Sequence, residues 1–495
     1  MTIFCELGHN KSERFISAKF DDRRSGQGVW IMAIFTAYDH AEILTALQDA
    51  APHAEIHTDD KVAREHSANG NAQQEIAGHI LAYIAVGDVP DIQGVLKVAR
   101  QYHIPVVPQG ADTSTVIGAD GLDGSIILST ARMKRIKEIS KGDLLAVVEP
   151  GVINGDLDQA ARKQGLFYAP DPGSKPISSI GGNVATNAGG MSTVKYGATT
   201  DNVLGLKVVL ADGREIKLGG RTYKHAFSYD LTHLFVGSEG TLGIITEITV
   251  KLNPIPVGTP VVGVAYFDNM TALAKGVEDL RLSGIYPVTL EALDGLTVAA
   301  LDRYEGTHYA EGAEAMLIFR LDTGGEASLK IAEKILTADH AKNIQVTSDP
   351  AESAAIIKLR QDMLPAVFAN GQHIMEDMAV PLSKLPEMMD YIAAVAKELN
   401  VEIYTAGHAG DGNVHPTVIW PADQVEPPKE ALQAIRMMFR KALALGGTIS
   451  GEHAVGMSKN QWNNEELGFA VDELQHRIKD LFDPLNILNP KRKID

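Results

Sequence analysis

The sequence predicts an α+β protein in two halves, and three observations predict it. Residues 80–107 read as strand, amphipathic helix, strand, which is a β-α-β unit. Two Asp-Gly dipeptides, Asp212-Gly213 and Asp411-Gly412, each lie between apolar runs and mark hairpins. Beyond Pro254-Ile-Pro256 strands and helices interleave in the texture of antiparallel strands packed on helices, a separate cap-like unit.

Composition narrows the function classes. A chain of 495 residues makes about two or three domains. Its net charge of −18 argues against nucleic acid, which needs clustered Lys and Arg. The one basic cluster, Lys491-Arg492-Lys493, reads as a solvated end. Cys5 is the sole cysteine, so neither a disulfide nor a thiolate metal site is expected, and a reducing cytoplasm fits. The apolar run 29–37 is too short to span a bilayer. A cytoplasmic protein follows, with peripheral contact at the inner face of a membrane left open.

The elements follow in order. Residues 1–31 are polar and read as a poorly structured extension, and 32–75 as an N-terminal helical segment with a helix at 41–50. The first half, 76–256, opens with a strand at 80–86. Its helix at 91–103 places Ile92, Val95, Leu96 and Ala99 on one face. A strand at 104–107 runs into Gln109-Gly-Ala-Asp-Thr-Ser-Thr115. Further strands are expected at 125–128 and 144–148, and a hairpin joins 203–210 to 215–218. The second half, 257–450, carries helices at 271–283, 296–303 and 326–339 and a strand at 315–321. The remainder, 451–495, holds a helix over 471–488.

Two stretches carry chemistry. In Thr405-Ala-Gly-His-Ala-Gly-Asp-Gly-Asn-Val-His-Pro416 a two-residue type I′ turn at Asp411-Gly412 pairs Gly410 with Asn413 and His408 with His415. Their Cβ atoms then stand roughly 5 Å apart. Two imidazoles so held can share a metal ion or an oxyanion; the ordinary alternative is a pair of satisfied histidines. Ser450-Gly-Glu-His-Ala-Val-Gly456 supplies a second cluster, Glu452 and His453. Glycine-rich runs at 181–190 and 237–243 let a ligand lie on the backbone, where exposed N–H groups attract phosphate or a flavin edge. A lone run of this kind is usually a tight buried turn.

Five motifs occur in one order: the 108–119 loop, the 170–197 Gly/Ala run, Gly237-Ser-Glu-Gly-Thr-Leu-Gly-Ile244, Gly407-His-Ala-Gly-Asp-Gly-Asn-Val-His415 and Gly451-Glu-His-Ala-Val-Gly456. Together they resemble the FAD-linked oxidases of the vanillyl-alcohol oxidase type, in particular the branch of D-lactate dehydrogenases and glycolate oxidases. The resemblance implies a PCMH-type two-subdomain FAD-binding domain at 76–256, a ferredoxin-like antiparallel α+β cap at 257–450, and a C-terminal helical return.

It also implies FAD as cofactor and a set of site residues. Gln109, Gly110, Ala111, Asp112, Thr113 and Ser114 would hold the pyrophosphate. Pro172, Gly173, Gly181, Gly182, Asn183, Thr186, Asn187, Ala188 and Gly189 would line flavin and ribityl. Glu239, Gly243 and Ile244 would contact the adenine side, and Asn489 would reach back to the flavin. His408, His415 and Glu452 would bind a divalent metal, for which imidazoles with one carboxylate suit Zn or Mn. His453 would be the catalytic base, Arg360 the clamp on the substrate carboxylate, and Asn413 a hydrogen-bond donor to substrate.

The loop departs from the family pattern, which has an Arg before Gly-Gly/Ala-Gly-Thr. This chain has Gln109, and Asp112 replaces a glycine. A carboxylate beside a diphosphate is repulsive by about 1 kcal/mol or more, so Asp112 is expected to point away. Backbone N–H groups and Thr113 or Ser114 would then carry the phosphates. No histidine lies in the loop, which predicts non-covalent FAD.

The expected reaction is oxidation of a small D-2-hydroxy acid, D-lactate or glycolate, with D-2-hydroxyglutarate as the alternative. The electron acceptor would be a quinone, a cytochrome, an electron-transfer flavoprotein or O₂, and a homodimer is admitted. Two rivals keep the fold: a non-redox, ether-forming branch acting on acyl-dihydroxyacetone phosphate, and a flavin-binding protein with a dead site. The intact set His408, His415, Glu452 and His453 speaks against the second.

Overall fold

In the computed structural model, which describes residues 14–20, 29–35, 39–67, 79–309, 313–323 and 325–494, the β-α-β reading expands into a four-stranded sheet. Its order is Glu55–His57, Ala82–Ala85, Ile126–Ser129, Val106–Gln109. Helix Val89–Tyr102 makes the crossover. Asp88 caps it by accepting from Asp91 N, and it buries Ile92, Val95, Leu96 and Ala99 against the sheet. Ile126–Ser129 slots between the strands that the helix connects and pairs parallel to both.

Two early expectations differ from the structure. Arg14–Phe20 and Val29–Phe35 pair as an antiparallel hairpin where a loose extension was expected. Glu55–His57 adds a strand between helices His40–Ala50 and Asp60–Ser67. Three residues are too few to display a period of two.

A five-stranded antiparallel sheet follows, in the order Glu215–Gly219, Val203–Val209, Ile244–Lys251, Leu145–Val148, Ile136–Ser140. The hairpin at its edge closes through a three-residue loop, with Leu210 N donating to Arg214 O and only Gly213, at φ +87°, left-handed.

The second half is an eight-stranded antiparallel sheet. Val261–Phe267, Ala315–Leu321, Thr289–Asp294, Glu402–His408 and Asn413–Trp420 are consecutive neighbours in it. Helices cover both faces, so its strands are apolar on both sides. Val261, Ala265 and Phe267 join one core cluster and Val264 and Tyr266 the other.

The C-terminal segment returns to the first half. Its helix, Asn463–Phe482, is interrupted at Gly468 and stops before 488, at Asp483, contrary to the single helix expected over 471–488. The chain then runs extended: Val106 N donates to Ile487 O and Asn489 N to Val106 O, which adds a strand-like edge beside Val106–Gln109. Buried Lys479 fastens the return by donating to Thr241 O and Leu488 O.

Candidate active site

The glycine-rich segments meet at one cleft of ≈ 1480 Å³, open to solvent. The 109–115 loop, Pro172–Gly173, the 181–189 run and Glu239–Ile245 form its walls, and Leu364 and Met375 of the second half also line it. Neither Lys nor Arg lines it among the described residues. A diphosphate there would rest on peptide N–H groups and on the hydroxyl of Thr113, because the Ser114 hydroxyl is buried. The scarcity of side chains and the length of the cleft fit FAD.

Seventeen of the nineteen residues expected to bind FAD line this cleft. Asn187 does not: it ends the helix Ile180–Thr186 in a left-handed cap and faces a neighbouring cavity. Asn489 does not either. Its Nδ2 donates to Gly118 O at 3.0 Å and Glu239 O at 2.7 Å, so it ties the cleft walls together from behind. The Gln109 amide is also committed, donating to Ala119 O and Asp112 Oδ2. Glu239 accepts from Val455 N and Gly456 N at 3.0 and 2.8 Å, which holds the 451–456 segment against the cleft. Asp112, at φ +52°, turns its carboxyl inward: Oδ1 is buried without a hydrogen-bond partner. Burial, reinforced by the nearby Asp120, pushes its pKa up to about 6.

The cap brings its hairpin to the same place. Ala406, not His408, lies opposite His415, because the loop Ala409–Gly412 has four residues rather than two. Only Gly412, at φ +82°, is left-handed, so the type I′ turn is not formed. The register differs from the expected one by two, which keeps both histidines on one face as diagonal neighbours. Their ring centroids are 5.2 Å apart.

Glu452 completes the cluster. Its Oε1 lies 3.1 Å from His408 Nε2 and 3.3 Å from His415 Nε2. Four ligands at about 2.0–2.1 Å from a tetrahedral ion are separated by roughly 3.3 Å, so the donor set fits a divalent metal. Behind each imidazole stands a carboxylate. Glu291 Oε1 meets His408 Nδ1 at 2.7 Å, and Asp377 Oδ1 lies 3.7 Å from His415 Nδ1. The Glu291–His408 hydrogen bond is how metal-binding histidines are usually oriented, while Asp377 stands beyond hydrogen-bond distance of His415 Nδ1.

His453 lines the FAD cleft and stacks on His415 at 5.0 Å, with its Nε2 3.8 Å from Glu452 Oε1. Asp377 accepts from Glu452 N, His453 N and Asn413 Nδ2 at 2.9, 2.8 and 2.8 Å. It thereby fixes acid and base together.

Electrostatics follow the geometry. Burial opposes a charge on His408, but Glu291 and Glu452 outweigh it and hold its pKa well above the usual histidine value. Burial would likewise raise Glu452, yet His408 and His415 keep it well below the carboxylate range. Burial lowers His453, which favours the neutral imidazole a base requires.

Two expected roles change. Asn413 Nδ2 gives its hydrogens to Asp377 and to Met378 O, so it has none for a substrate; it positions Asp377. Arg360 Nε donates to Glu291 Oε2 at 2.6 Å, which makes the guanidinium part of the shell behind His408. Glu291 and Asp377 escaped the sequence reading. Their signal was acidic charge inside an apolar strand-like run, Glu291 alone in Thr289-Leu-Glu-Ala-Leu293 and the pair Glu376-Asp377 between Met375 and Met378, which is costly unless paired.

Comparisons with known proteins point to the same cofactor. Family models match twice: an FAD binding domain over residues 80–219 and the C-terminal domain of FAD linked oxidases over 259–492. Glycolate oxidase subunit GlcD of Bacillus subtilis is 39% identical, covering 83% of this chain and 88% of that one. A D-lactate dehydrogenase of Anaerostipes hadrus is 35% identical, covering 81% and 86%. Among solved structures, p-cresol methylhydroxylase with substrate bound superposes with a TM-score of 0.77 at 16% identity, covering 91% of this chain and 96% of that one. An alkyldihydroxyacetonephosphate synthase gives 0.69 at 17%, covering 92% and 85%. At such identities the structural likeness speaks for the fold alone. No helix among the described residues is long and apolar enough to cross a membrane.

Proposed function

The chain belongs to the FAD-linked oxidases, and from that premise we propose that it oxidises a small D-2-hydroxy acid, D-lactate or glycolate, to the 2-oxo acid. One observation carries the reading: Glu452 and His453 line the FAD cleft while also belonging to the histidine–carboxylate cluster. Cofactor and acid chemistry therefore share a wall.

Bound FAD supplies the acceptor for the substrate's α-hydrogen as hydride. A divalent ion held by His408, His415 and Glu452 would supply a Lewis acid for the hydroxyl and carboxylate oxygens. The chain's own groups do the rest. His453 takes the hydroxyl proton at Nε2, the ring nitrogen nearer Glu452. Asp377 keeps that ring in place through the His453 N–H. Arg360 commits Nε to Glu291 and so braces the carboxylate that orients His408.

Leu364 and Met375 favour the smaller acids over D-2-hydroxyglutarate. They add apolar side chains to the lining of the cleft, where a second carboxylate would need a cation. Anaerobic addition of D-lactate, glycolate, D-2-hydroxyglutarate and their stereoisomers, with flavin bleaching as the readout, tests the proposal. Bleaching by D-lactate or glycolate supports it. Bleaching by D-2-hydroxyglutarate alone would move the substrate assignment to the larger acid, and failure of all of them would remove the oxidase reading.

A further inference from the structure

A second cavity, of ≈ 1280 Å³ and open to solvent, adjoins the FAD cleft: Thr186, Glu452 and Ala454 line both. Apolar side chains form about half of its lining: Leu234 and Val236 from the first half of the chain, and Trp462, Leu467 and Ile478 from the C-terminal return. The cations that line it are already committed. Lys459 donates to Asp377 O and Ile449 O and lies 3.4 Å from Glu376, while Lys493 lies 3.4 Å from Glu239. Glu466 on the same wall adds a carboxylate, which accepts from Ile449 N.

No spare positive charge draws an anionic hydroxy acid into this space, and the chamber suits a flat, neutral ring. The helix that supplies Leu467 also exposes Phe469 and Leu474, apolar surface for an aliphatic tail. A dehydrogenase must also return its cofactor to the oxidised form with an oxidant other than the substrate. We infer that this cavity is the acceptor site and that it takes a lipid-soluble quinone. The quinone receives two electrons and two protons from the reduced cofactor; its two carbonyl oxygens become hydroxyls and the cofactor is left oxidised. The inference rests on the FAD-dehydrogenase reading above.

The test begins with holoenzyme reduced photochemically, so it does not depend on the substrate. Val236→Phe and Leu467→Phe fill the cavity from two separate segments of the chain, at positions that are only half-buried. Reoxidation by a short-tailed quinone is expected to slow at least tenfold in either variant. Reoxidation by ferricyanide, a small hydrophilic anion, stays at the wild-type rate, and so does flavin reduction by the hydroxy acid. Independently, the quinone quenches Trp462 fluorescence in the dark, and Trp462→Phe abolishes the quenching.

Quinone reoxidation at the wild-type rate in both folded variants overturns the inference, as does quenching that survives Trp462→Phe. Variants that slow reduction by the acid would make the cavity a substrate route and sink it equally. If the quinone steps behave as expected but no hydroxy acid reduces the flavin, the substrate reading fails and the acceptor site stands.

Discussion

Glu291 accepts from His408 at 2.7 Å through Nδ1, on the side of the ring turned away from Glu452. The bond fixes which nitrogen carries the proton and leaves Nε2 to point at the other donors. Glu291→Gln keeps the shape but loses the charge. It is expected to weaken divalent-metal binding roughly 10–100-fold with FAD affinity unchanged. Metal titration of the FAD-loaded protein reads this directly. Wild-type affinity in the variant would show that the cluster does not bind metal through His408.

His453 touches both the cleft and the cluster. Removing a positioned base costs roughly 10²–10⁴ in rate. His453→Ala should therefore slow anaerobic flavin reduction by that factor and leave FAD content and metal content intact. Near-normal reduction would take the base assignment away from His453.

Much of this was legible in the residues, for identifiable reasons. Each Asp-Gly announced a hairpin because its glycine is where the chain must turn left-handed. The loop lengths, three residues after Leu210 and four after His408, depend on tertiary contacts. Gly410 N donates to Leu290 O and Val380 N to Gly412 O, and local turn chemistry does not encode these partners. His408, His415 and Glu452 were found from residue type and spacing. Their partners Glu291 and Asp377 lie more than a hundred and nearly forty residues from His408 and His415, and only the sheet brings them close. Asn413 was misread for the same reason: its hydrogen-bond partners come from a neighbouring strand that no local pattern names.

Asp112 makes stability depend on pH. Its folded pKa, about 6, lies above the ordinary 3.8, so the native state binds the extra proton. Stability from this group is full below pH 3.8 and is lost as pH rises to about 6. Asp112→Asn should remove that slope, leaving the variant more stable than wild type at pH 7 by at most about 3 kcal/mol. Denaturant unfolding of the FAD-free proteins at pH 4 and pH 7 measures it. A variant less stable at pH 7, or an unchanged pH slope, would mean that the carboxyl is ionised and satisfied in the fold. Removing the charge should also tighten FAD binding above pH 6, because no carboxylate then opposes the diphosphate.

Gly189 links the cofactor cleft to the metal cluster. It lines the cleft, and a Cβ there would come within 2.4 Å of Glu452 Oε2 and 3.1 Å of Glu452 Cβ. A free carboxylate end would simply swing aside, but this one is held by His408 and His415 through Oε1 and by Asp377 through its backbone N–H. Gly189→Ala must then either break the contact of Glu452 with the histidines or push into the space meant for FAD. Both affinities are expected to fall at least tenfold together, while Gly142→Ala, whose added methyl meets nothing within 4 Å, changes neither. Metal titration and FAD titration on the same preparations decide the matter. Loss of FAD binding with metal affinity intact would mean that Glu452 stays in place and the methyl projects only into the cleft. Loss of neither would mean that the wall between the two sites yields, and that the close approach of Glu452 to the cofactor run is not needed by either.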